Sequence, residues 1–261
     1  MMLGKLEALI LGAIQGLTEF LPISSTGHLY LGRHMFNLQE AGLTLDTMLH
    51  IGTLIAVFVF YKHEFIRILK NPFGKLTWLL IIGTIPAVVV GFAFKDYFDA
   101  ISKTGATIGW EFLLTGCFLW FAETIEQGRK KMEDITYGDA LFIGAFQAAA
   151  IFPAISRSGF TIAAALLRKL DRETAAYFSF LLSTPAIVGA IVLQIFDLLE
   201  GQGESIAPMA LLIGILASAL FGYVAVRWMI SYLKNHSLKL FAVYVWILGF
   251  FILIMQYIGK F

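Results

Sequence analysis

The feature that most constrains the fold is a succession of apolar runs separated by short polar loops. We predict helical segments at 5–21, 24–35, 44–61, 75–95, 106–123, 138–152, 156–169, 173–197, 206–232 and 239–258. Several of these runs approach the roughly 20 residues that cross the hydrocarbon core of a bilayer. Only 14% of the residues are charged, against about 25% in an average soluble domain. The pattern predicts an all-α polytopic membrane protein, with residues 1–261 forming a single membrane domain.

Four of the segments are too short to cross a bilayer, and they form two pairs. A proline splits each pair, Pro22 in the first and Pro153 in the second. Backbone without regular structure is tolerated at membrane depth only where protein buries it or where it lines a cavity. We therefore predict two re-entrant helix–loop–helix hairpins, and six further segments long enough to cross.

The two hairpins share sequence, which indicates an internal duplication. Gly12-Ala13-Ile14-Gln15 recurs as Gly144-Ala145-Phe146-Gln147, and Pro22-Ile-Ser24-Ser25-Thr26-Gly27 recurs as Pro153-Ala-Ile-Ser156-Arg157-Ser158-Gly159. We predict a first repeat over 1–128 and a second over 138–261, each with one re-entrant hairpin and three transmembrane helices. Such a unit crosses an odd number of times, so the repeats must be inverted relative to each other, as in many transporters.

The distribution of basic residues predicts the orientation. Cytoplasmic loops carry an excess of Lys and Arg. Placing the loops 62–75, 124–137, 168–173 and 227–239 in the cytoplasm puts most of the 19 Lys and Arg residues there, with both termini outside. The net charge of +1 and the lack of a basic cluster predict no nucleic-acid partner. The single cysteine, Cys117, excludes an internal disulfide.

Hairpins that enter from opposite faces can bring their turns together near the midplane. Ser24 or Ser25, and Ser156, are predicted N-caps of the two return helices. Two helix N-termini would then direct N–H groups and positive dipole ends into one cavity. Arg157 adds a charge whose planar fork suits phosphate oxygens. The sequence therefore predicts a phosphate-binding site.

Glu19 suggests chemistry beyond binding. A carboxylate beside a phosphate site repels the ligand unless a metal lies between them or the carboxylate handles a proton. Gln15 and Glu19 lie four apart on one helix face and could bind a divalent cation, Mg²⁺ or Ca²⁺. Ser25 and His28, three apart at a helix start, have the spacing of a nucleophile and its base.

Structural roles remain open at some of these positions. Hydroxyls near a turn often serve only as helix caps, and this alternative applies to Ser24, Thr26 and Ser158. Gln15 has the alternative of bonding a neighbouring helix. Asp46 and His50, also four apart, fit either a layer behind the site or the polar start of an interfacial helix, and we favour the second. Glu19, His28 and Arg157 resist a structural explanation, because ionisable groups inside a bilayer are costly.

Two stretches resemble the undecaprenyl-diphosphate phosphatase family of the bacitracin-resistance type. The first is Gln-Gly-Leu-Thr-Glu-Phe-Leu-Pro-Ile-Ser-Ser-Thr-Gly-His at 15–28. The second, at 153–161, is similar to the family signature Pro-Gly-x-Ser-Arg-Ser-x-x-Thr. The length, the segment at 45–53 and the ten-segment layout match too, so the resemblance covers essentially the whole chain. The sequence departs from the family at Gln15, where many members have Glu, and at Ala154, where the signature has Gly.

The resemblance implies a membrane hydrolase that removes the terminal phosphate from undecaprenyl (C55) diphosphate. That reaction recycles the lipid carrier for cell-wall synthesis in the bacterial inner membrane, and the family depends on a divalent cation. By resemblance, the catalytic residues are Glu19, Ser25, His28 and Arg157. The substrate-binding residues are Arg157 and, around it, Ser156, Ser158 and Thr161, together with Ser24 and Thr26 of the first hairpin. A homodimer is compatible with this interpretation.

Two alternatives remain at this stage. Water activated by Glu19 or His28 can replace Ser25 as the attacking group. An inverted-repeat carrier for an anionic lipid or a small anion would also need Arg157, but has no obvious use for Ser25 beside His28.

Overall fold

The computed structural model describes residues 3–38, 42–201 and 203–259, apart from the side chains of residues 96, 99 and 102–104. Within these ranges the regular structure is helical, which confirms the predicted all-α class. The α-helices are α1 Lys5–Phe20, α2 Ser25–Met35, α3 Leu43–Phe60, α4 Lys62–Lys70, α5 Lys75–Ala93, α6 Lys95–Thr104, α7 Ile108–Ala122, α8 Tyr137–Ala149, α9 Arg157–Leu167, α10 Arg172–Leu199, α11 Pro208–Leu233 and α12 Lys239–Tyr257. A short 3-10 helix covers Met132–Asp134.

Among the described residues, five helices are long and apolar enough to cross a membrane, namely α3, α5, α10, α11 and α12. The segment at 106–123 was predicted to be a sixth, and this expectation is wrong in length. Its helix, α7, has only 15 residues, about 22 Å at 1.5 Å per residue. The residues before α7 form the amphipathic helix α6, which ends at Thr104 and is followed by Gly105 with φ +64°. The sequence prediction also missed α4.

The two predicted hairpins are present as α1–α2 and α8–α9. In the first, Ser24 is the N-cap of α2 and accepts a hydrogen bond from the Gly27 backbone N–H at 3.3 Å. In the second, Ser156 caps α9 and accepts from the Gly159 N–H at 3.1 Å. The capping prediction is confirmed at both turns, and of the two serines considered in the first hairpin, Ser24 is the cap.

Each hairpin packs through a glycine on a long helix of the other predicted repeat. A Cβ atom on Gly12 in α1 would lie 2.5 Å from the Gly214 carbonyl oxygen in α11. A Cβ atom on Gly144 in α8 would lie 2.2 Å from the Gly83 carbonyl oxygen in α5. No side chain fits at either crossing, so both pairs allow the backbones to approach closely. This matched packing supports the predicted duplication, while the inversion of the repeats stays a prediction.

Contacts between loops identify the two ends of the helix bundle. The loops that the sequence assigns to the cytoplasm share one end, through contacts of Lys75 with Glu133, Lys131 with Asp171, and Arg172 and Leu238 with Glu123. At the other end, Glu204 accepts hydrogen bonds from the backbone N–H groups of residues 42–44 at the start of α3. Gln256 and Gly105 meet at that end too.

Candidate active site at the hairpin turns

A cavity of about 570 Å³ lies where the two hairpin turns meet, a volume in the range of small-molecule sites. The turns line one side with the polar residues Glu19, Ser24, Ser25, Thr26, Ser156, Arg157 and Ser158. Small and apolar residues of α5 and α10 line the other side, among them Ala87, Gly91, Ala186 and Ala190. The cavity thus joins a polar, charged pole to a mostly apolar wall, which also carries the ion pair of Lys95 and Asp197.

An ion pair between the hairpins forms the centre of the polar pole. Arg157 Nη2 donates to Glu19 Oε1, and both side chains are largely buried. The sequence left open how a carboxylate could lie beside a phosphate site without repelling the phosphate. In the structure, the guanidinium of Arg157 compensates the negative charge of Glu19. A guanidinium has five N–H donors, so Arg157 can bond Glu19 and a phosphate oxygen together. Ser158 also joins the hairpins, donating from Oγ to the Leu21 carbonyl oxygen at 2.9 Å.

The second oxygen of Glu19 faces a hydroxyl. Ser25 Oγ donates to Glu19 Oε2 at 2.5 Å, and Gln15 Nε2 donates to the same oxygen at 3.1 Å. Hydrogen bonds from a hydroxyl to a carboxylate are short and strong. His50 Nε2 lies 4.0 Å from Glu19 Oε2, and His50 lines the cavity. The interfacial interpretation that we favoured for His50 is therefore wrong, since this residue lies beside the site.

His28 does not pair with Ser25 in the structure. Its Nδ1 lies 2.6 Å from the Ser24 carbonyl oxygen, and its Nε2 lies 2.8 Å from Tyr244 Oη. The ring stacks on Tyr244 and meets Phe112 edge-on. The side chain of Ser25 turns back towards α1, whereas His28 faces α7 and α12. The predicted contact between Ser25 and His28 is therefore not formed: Ser25 bonds Glu19 instead, and His28 connects α2 to α7 and α12.

Two residues of α7 hold the second turn. Glu111 Oε2 accepts a hydrogen bond from the Ala154 backbone N–H, and Thr115 Oγ1 accepts one from the Ser156 N–H at 3.2 Å. The sequence prediction missed both residues. An acidic residue in the apolar segment 106–123 was a signal that pointed to Glu111.

Like His28, two further predicted site residues, Thr161 and Gln15, do not line the cavity. Thr161 Oγ1 donates to the Arg157 carbonyl oxygen at 2.9 Å and lies 2.5 Å from Ser179 Oγ. Thr161 is fully buried, so it supports Arg157 from behind and does not face a ligand. Gln15 is also fully buried, and its amide holds Glu19.

The turn of the first hairpin carries backbone strain, and that of the second does not. Ser24 has φ +71°, a region that residues other than glycine rarely adopt and that clusters at functional sites. In the described residues the other non-glycine residues with positive φ are Asn37 and Lys169. Ala154 is not among them, so alanine in place of the signature glycine causes no strain at that turn.

The described residues contain no group of three or more His, Cys, Asp or Glu side chains arranged to hold a metal ion. Gln15 Oε1 is buried without a hydrogen-bond partner there, but Gln15 lies behind Glu19 and away from the cavity. Arg157, Ser25 and Gln15 occupy the oxygens of Glu19. A resident cation held by the protein alone does not fit this set of donors.

Comparison with known proteins gives a consistent result over the whole chain. Residues 8–251 match the model of a family described as bacitracin resistance protein BacA. A Bacillus cereus protein named undecaprenyl-diphosphatase 3 is 71% identical over 256 residues, covering 98% of this chain and 99% of the relative. A Bacillus thuringiensis protein named undecaprenyl-diphosphatase 4 is 72% identical, covering 97% of each chain. A Carboxydothermus hydrogenoformans undecaprenyl-diphosphatase is 47% identical over 99% of this chain and 100% of its own length.

Proposed function

Because this chain belongs to the family described as bacitracin resistance protein BacA, we propose that it is a membrane-embedded undecaprenyl-diphosphatase. It removes the terminal phosphate from undecaprenyl diphosphate and thereby recycles the lipid carrier for bacterial cell-wall synthesis. One observation carries the assignment of the site. Ser25 donates to Glu19 and Glu19 pairs with Arg157, at a cavity that two helix N-termini approach.

Binding of the terminal phosphate follows from the polar pole. The N-terminal ends of α2 and α9 supply backbone N–H groups and positive dipole ends. Arg157 supplies a delocalised charge with donors in a planar fork. These groups are preorganised by Ser24 and Ser156, so they favour the charge that spreads over the phosphoryl oxygens in the transition state.

Ser25 is the proposed nucleophile and Glu19 its base. Ser25 Oγ attacks the terminal phosphorus while its proton passes to Glu19 Oε2, along the hydrogen bond already present. The bond from that phosphorus to the bridging oxygen breaks, and undecaprenyl monophosphate leaves. Water then hydrolyses the phosphoserine and releases phosphate. In the alternative, Glu19 activates water directly and Ser25 only positions it. A carrier would have no use for the Ser25–Glu19 bond, so the site favours a hydrolase.

The lipid chain extends along the apolar wall of the cavity. A C55 chain is far larger than the cavity, so most of it lies outside. Small residues of α5 and α10 line this wall, and each of these helices contains a proline, Pro86 and Pro185, of the kind that kinks helices. We place the chain between α5 and α10 and the diphosphate at the hairpin turns.

A divalent cation, Mg²⁺ or Ca²⁺, enters this proposal as a companion of the substrate. Mg²⁺ is usually held by one or two carboxylates together with substrate phosphates. Glu19 would be the protein contribution to such a cation, which would neutralise phosphate charge when bound. No step of the mechanism above depends on it.

We further place the protein in the plasma membrane with both termini outside, while a homodimer stays a prediction.

The test is phosphate release from undecaprenyl diphosphate by the purified protein in detergent. Loss of a group that stabilises transition-state charge typically costs about 100-fold to 1000-fold in rate. We expect losses of this order in Arg157→Lys, where the planar fork is lost, and in Glu19→Gln, where the base is lost. Lys234→Gln is the matched control, because Lys234 pairs with Glu173 on the surface, away from the cavity.

Full activity in Arg157→Lys or Glu19→Gln would contradict the proposed site. A phosphoserine trapped at Ser25 by rapid acid quenching would support covalent catalysis. Activity retained in Ser25→Ala would favour the attack of water.

A further inference from the structure

Gln147 in α8 is a buried amide that the mechanism above does not use. Its side chain is 2% exposed and lines the same cavity as Glu19 and Arg157. Neither Nε2 nor Oε1 makes a hydrogen bond with any of the residues that the structure describes. Burying a polar group without a partner costs free energy, and native proteins rarely do so without a reason. A buried amide of this kind beside a polar cavity points to a ligand.

The first repeat shows why this amide lacks a partner. Gln15 is the counterpart of Gln147, in the recurring Gly-Ala-x-Gln sequence. Gln15 Nε2 donates to Glu19, four residues later in α1. In the second repeat, Ile151 stands four residues after Gln147 and cannot accept a hydrogen bond. The same amide therefore holds the carboxylate in one repeat and has no such internal partner in the other.

The position of Gln147 indicates which part of the substrate it meets. Helix α8 runs alongside α5, with Gly144 against Gly83 and Ile151 near Gly91. Gln147 lies between these two contacts, where the second hairpin adjoins the apolar wall formed by α5. The terminal phosphate binds at Arg157 and Ser25, and the lipid chain lies along the wall. The phosphate that stays on the lipid lies between them.

We propose that Gln147 binds the phosphate that remains attached to the lipid, donating from Nε2 to one of its oxygens. The inference rests on the proposed function and extends it to the recognition of a diphosphate rather than a monophosphate. A neutral amide strengthens this contact without adding a further positive charge that would retain the monophosphate product. Ile151 contributes as well, since a carboxylate at that position would repel the diphosphate.

Gln147→Leu tests the proposal, because leucine is close in size and lacks the amide. A hydrogen bond to a charged acceptor is worth about a tenfold to hundredfold change in affinity. We expect the KM for undecaprenyl diphosphate to rise by about that factor, with kcat changed less than about threefold. Inhibition by methylenediphosphonate should weaken by the same factor, whereas inhibition by inorganic phosphate should not change. The thermal stability of the ligand-free protein should hold or rise, because the variant removes an unpartnered polar group.

The control is Gln256→Leu, a glutamine whose Nε2 donates to the Gly105 carbonyl oxygen away from the cavity, and its KM should match the wild type. An unchanged KM and unchanged methylenediphosphonate inhibition in Gln147→Leu would overturn the proposal. A marked loss of thermal stability would also overturn it, since that would show a structural partner for the amide. If wild-type protein fails to release phosphate from undecaprenyl diphosphate, the proposed function itself fails, whatever Gln147 does.

Discussion

At the scale of single residues, the two carboxylate oxygens of Glu19 bind different partners in the site. Oε1 holds Arg157, and Oε2 accepts from Ser25 and Gln15. Removing one partner of a buried ion pair strongly lowers stability, because the remaining charge is then buried without compensation. In the proposed mechanism, substrate phosphate shares Arg157 with Glu19, so the ion pair keeps both groups beside the bound phosphate.

Glu111 helps to fix the turn from which α9 and Arg157 begin. Its carboxylate accepts from the Ala154 N–H in the turn that precedes α9. In Glu111→Leu that N–H is left buried without a partner, and an unsatisfied group of this kind costs about 1–3 kcal/mol. We expect the free energy of unfolding to fall by that amount, and the KM to rise as Arg157 shifts. Chemical denaturation in detergent and steady-state kinetics measure the two effects.

Glu111→Gln provides the matched control, because its amide oxygen can still accept from Ala154. It should recover most of the stability and of the affinity for substrate. If Glu111→Gln is as impaired as Glu111→Leu, the charge of Glu111 matters rather than its hydrogen bond, and the positioning role is wrong.

The sequence predicted the residues of the site better than their pairing. Glu19 and Arg157 stood out because charges in apolar segments are costly, and the structure brings them into contact. The pairing of Ser25 with His28 was inferred from their spacing alone. His28 instead meets Tyr244, 216 residues away, and no local pattern can reveal such a partner. His50 reaches Glu19 across the bundle in the same way.

At the scale of helices, the second hairpin is fixed at its base as well as at its turn. Asp139, in the first turn of α8, is fully buried. It accepts from Thr136 before α8, from Lys130 in the preceding loop, and from Arg168 at the end of α9. One carboxylate thus clamps both limbs of the hairpin. Burial raises the pKa of Asp139, but these hydrogen bonds lower it more, so its net pKa lies below the usual range.

The lowered pKa predicts how stability depends on pH. Because the pKa is lower in the folded than in the unfolded state, where it is about 3.9, the charged Asp139 stabilises the fold above about pH 4. That contribution is lost as the pH falls through the folded pKa. Asp139→Asn should lower the free energy of unfolding at pH 7 by about 1–3 kcal/mol. The difference from wild type should shrink in acid, and denaturation curves at neutral and acid pH measure it.

Glu126→Gln is the control for this experiment, since the Glu126 side chain is 93% exposed and should not affect stability at either pH. A difference between wild type and Asp139→Asn that stays constant from pH 7 into acid would contradict the clamp. The loss would then come from packing rather than from charge.

Helices were predicted where apolar pattern and capping agree, and missed where they do not. The second helices of the two hairpins, α2 and α9, begin after serines that serve as caps, so their starts were clear from sequence. Helices α4 and α6 are short and amphipathic, and they adjoin apolar helices without a proline between them. From the sequence, the residues of these two helices were interpreted as loops or as the ends of neighbouring segments. Taking residues 106 and 107 into the following segment made α7 look longer than its 15 residues.

At the scale of the whole molecule, glycine crossings and loop contacts give a consistent topology. α1 packs on α11 and α8 packs on α5, through glycines that recur in both repeats. The loops predicted to be cytoplasmic share one end of the bundle, as the contacts of Glu123 and Asp171 show. An inverted duplication would produce this arrangement. In such a chain, the first helix of each hairpin begins at the same face of the membrane as the long helix on which it packs.

The orientation in the membrane follows as the last prediction. Glu126 lies in the loop 124–137 at the basic end, and Tyr257, which is 92% exposed, ends α12 at the opposite end. In a Cys117→Ser background, which removes the one native thiol, Glu126→Cys and Tyr257→Cys place single thiols at the two ends. A membrane-impermeant maleimide applied to intact cells should label Tyr257→Cys and leave Glu126→Cys unlabelled until the cells are lysed. Labelling of Glu126→Cys alone in intact cells would reverse the orientation, and labelling of both at equal rates would show that the two residues lie on the same side. The predicted outcome places the entrance of the α1–α2 hairpin outside and that of the α8–α9 hairpin in the cytoplasm, and entry from opposite faces is what lets Glu19 and Arg157 meet inside the bilayer.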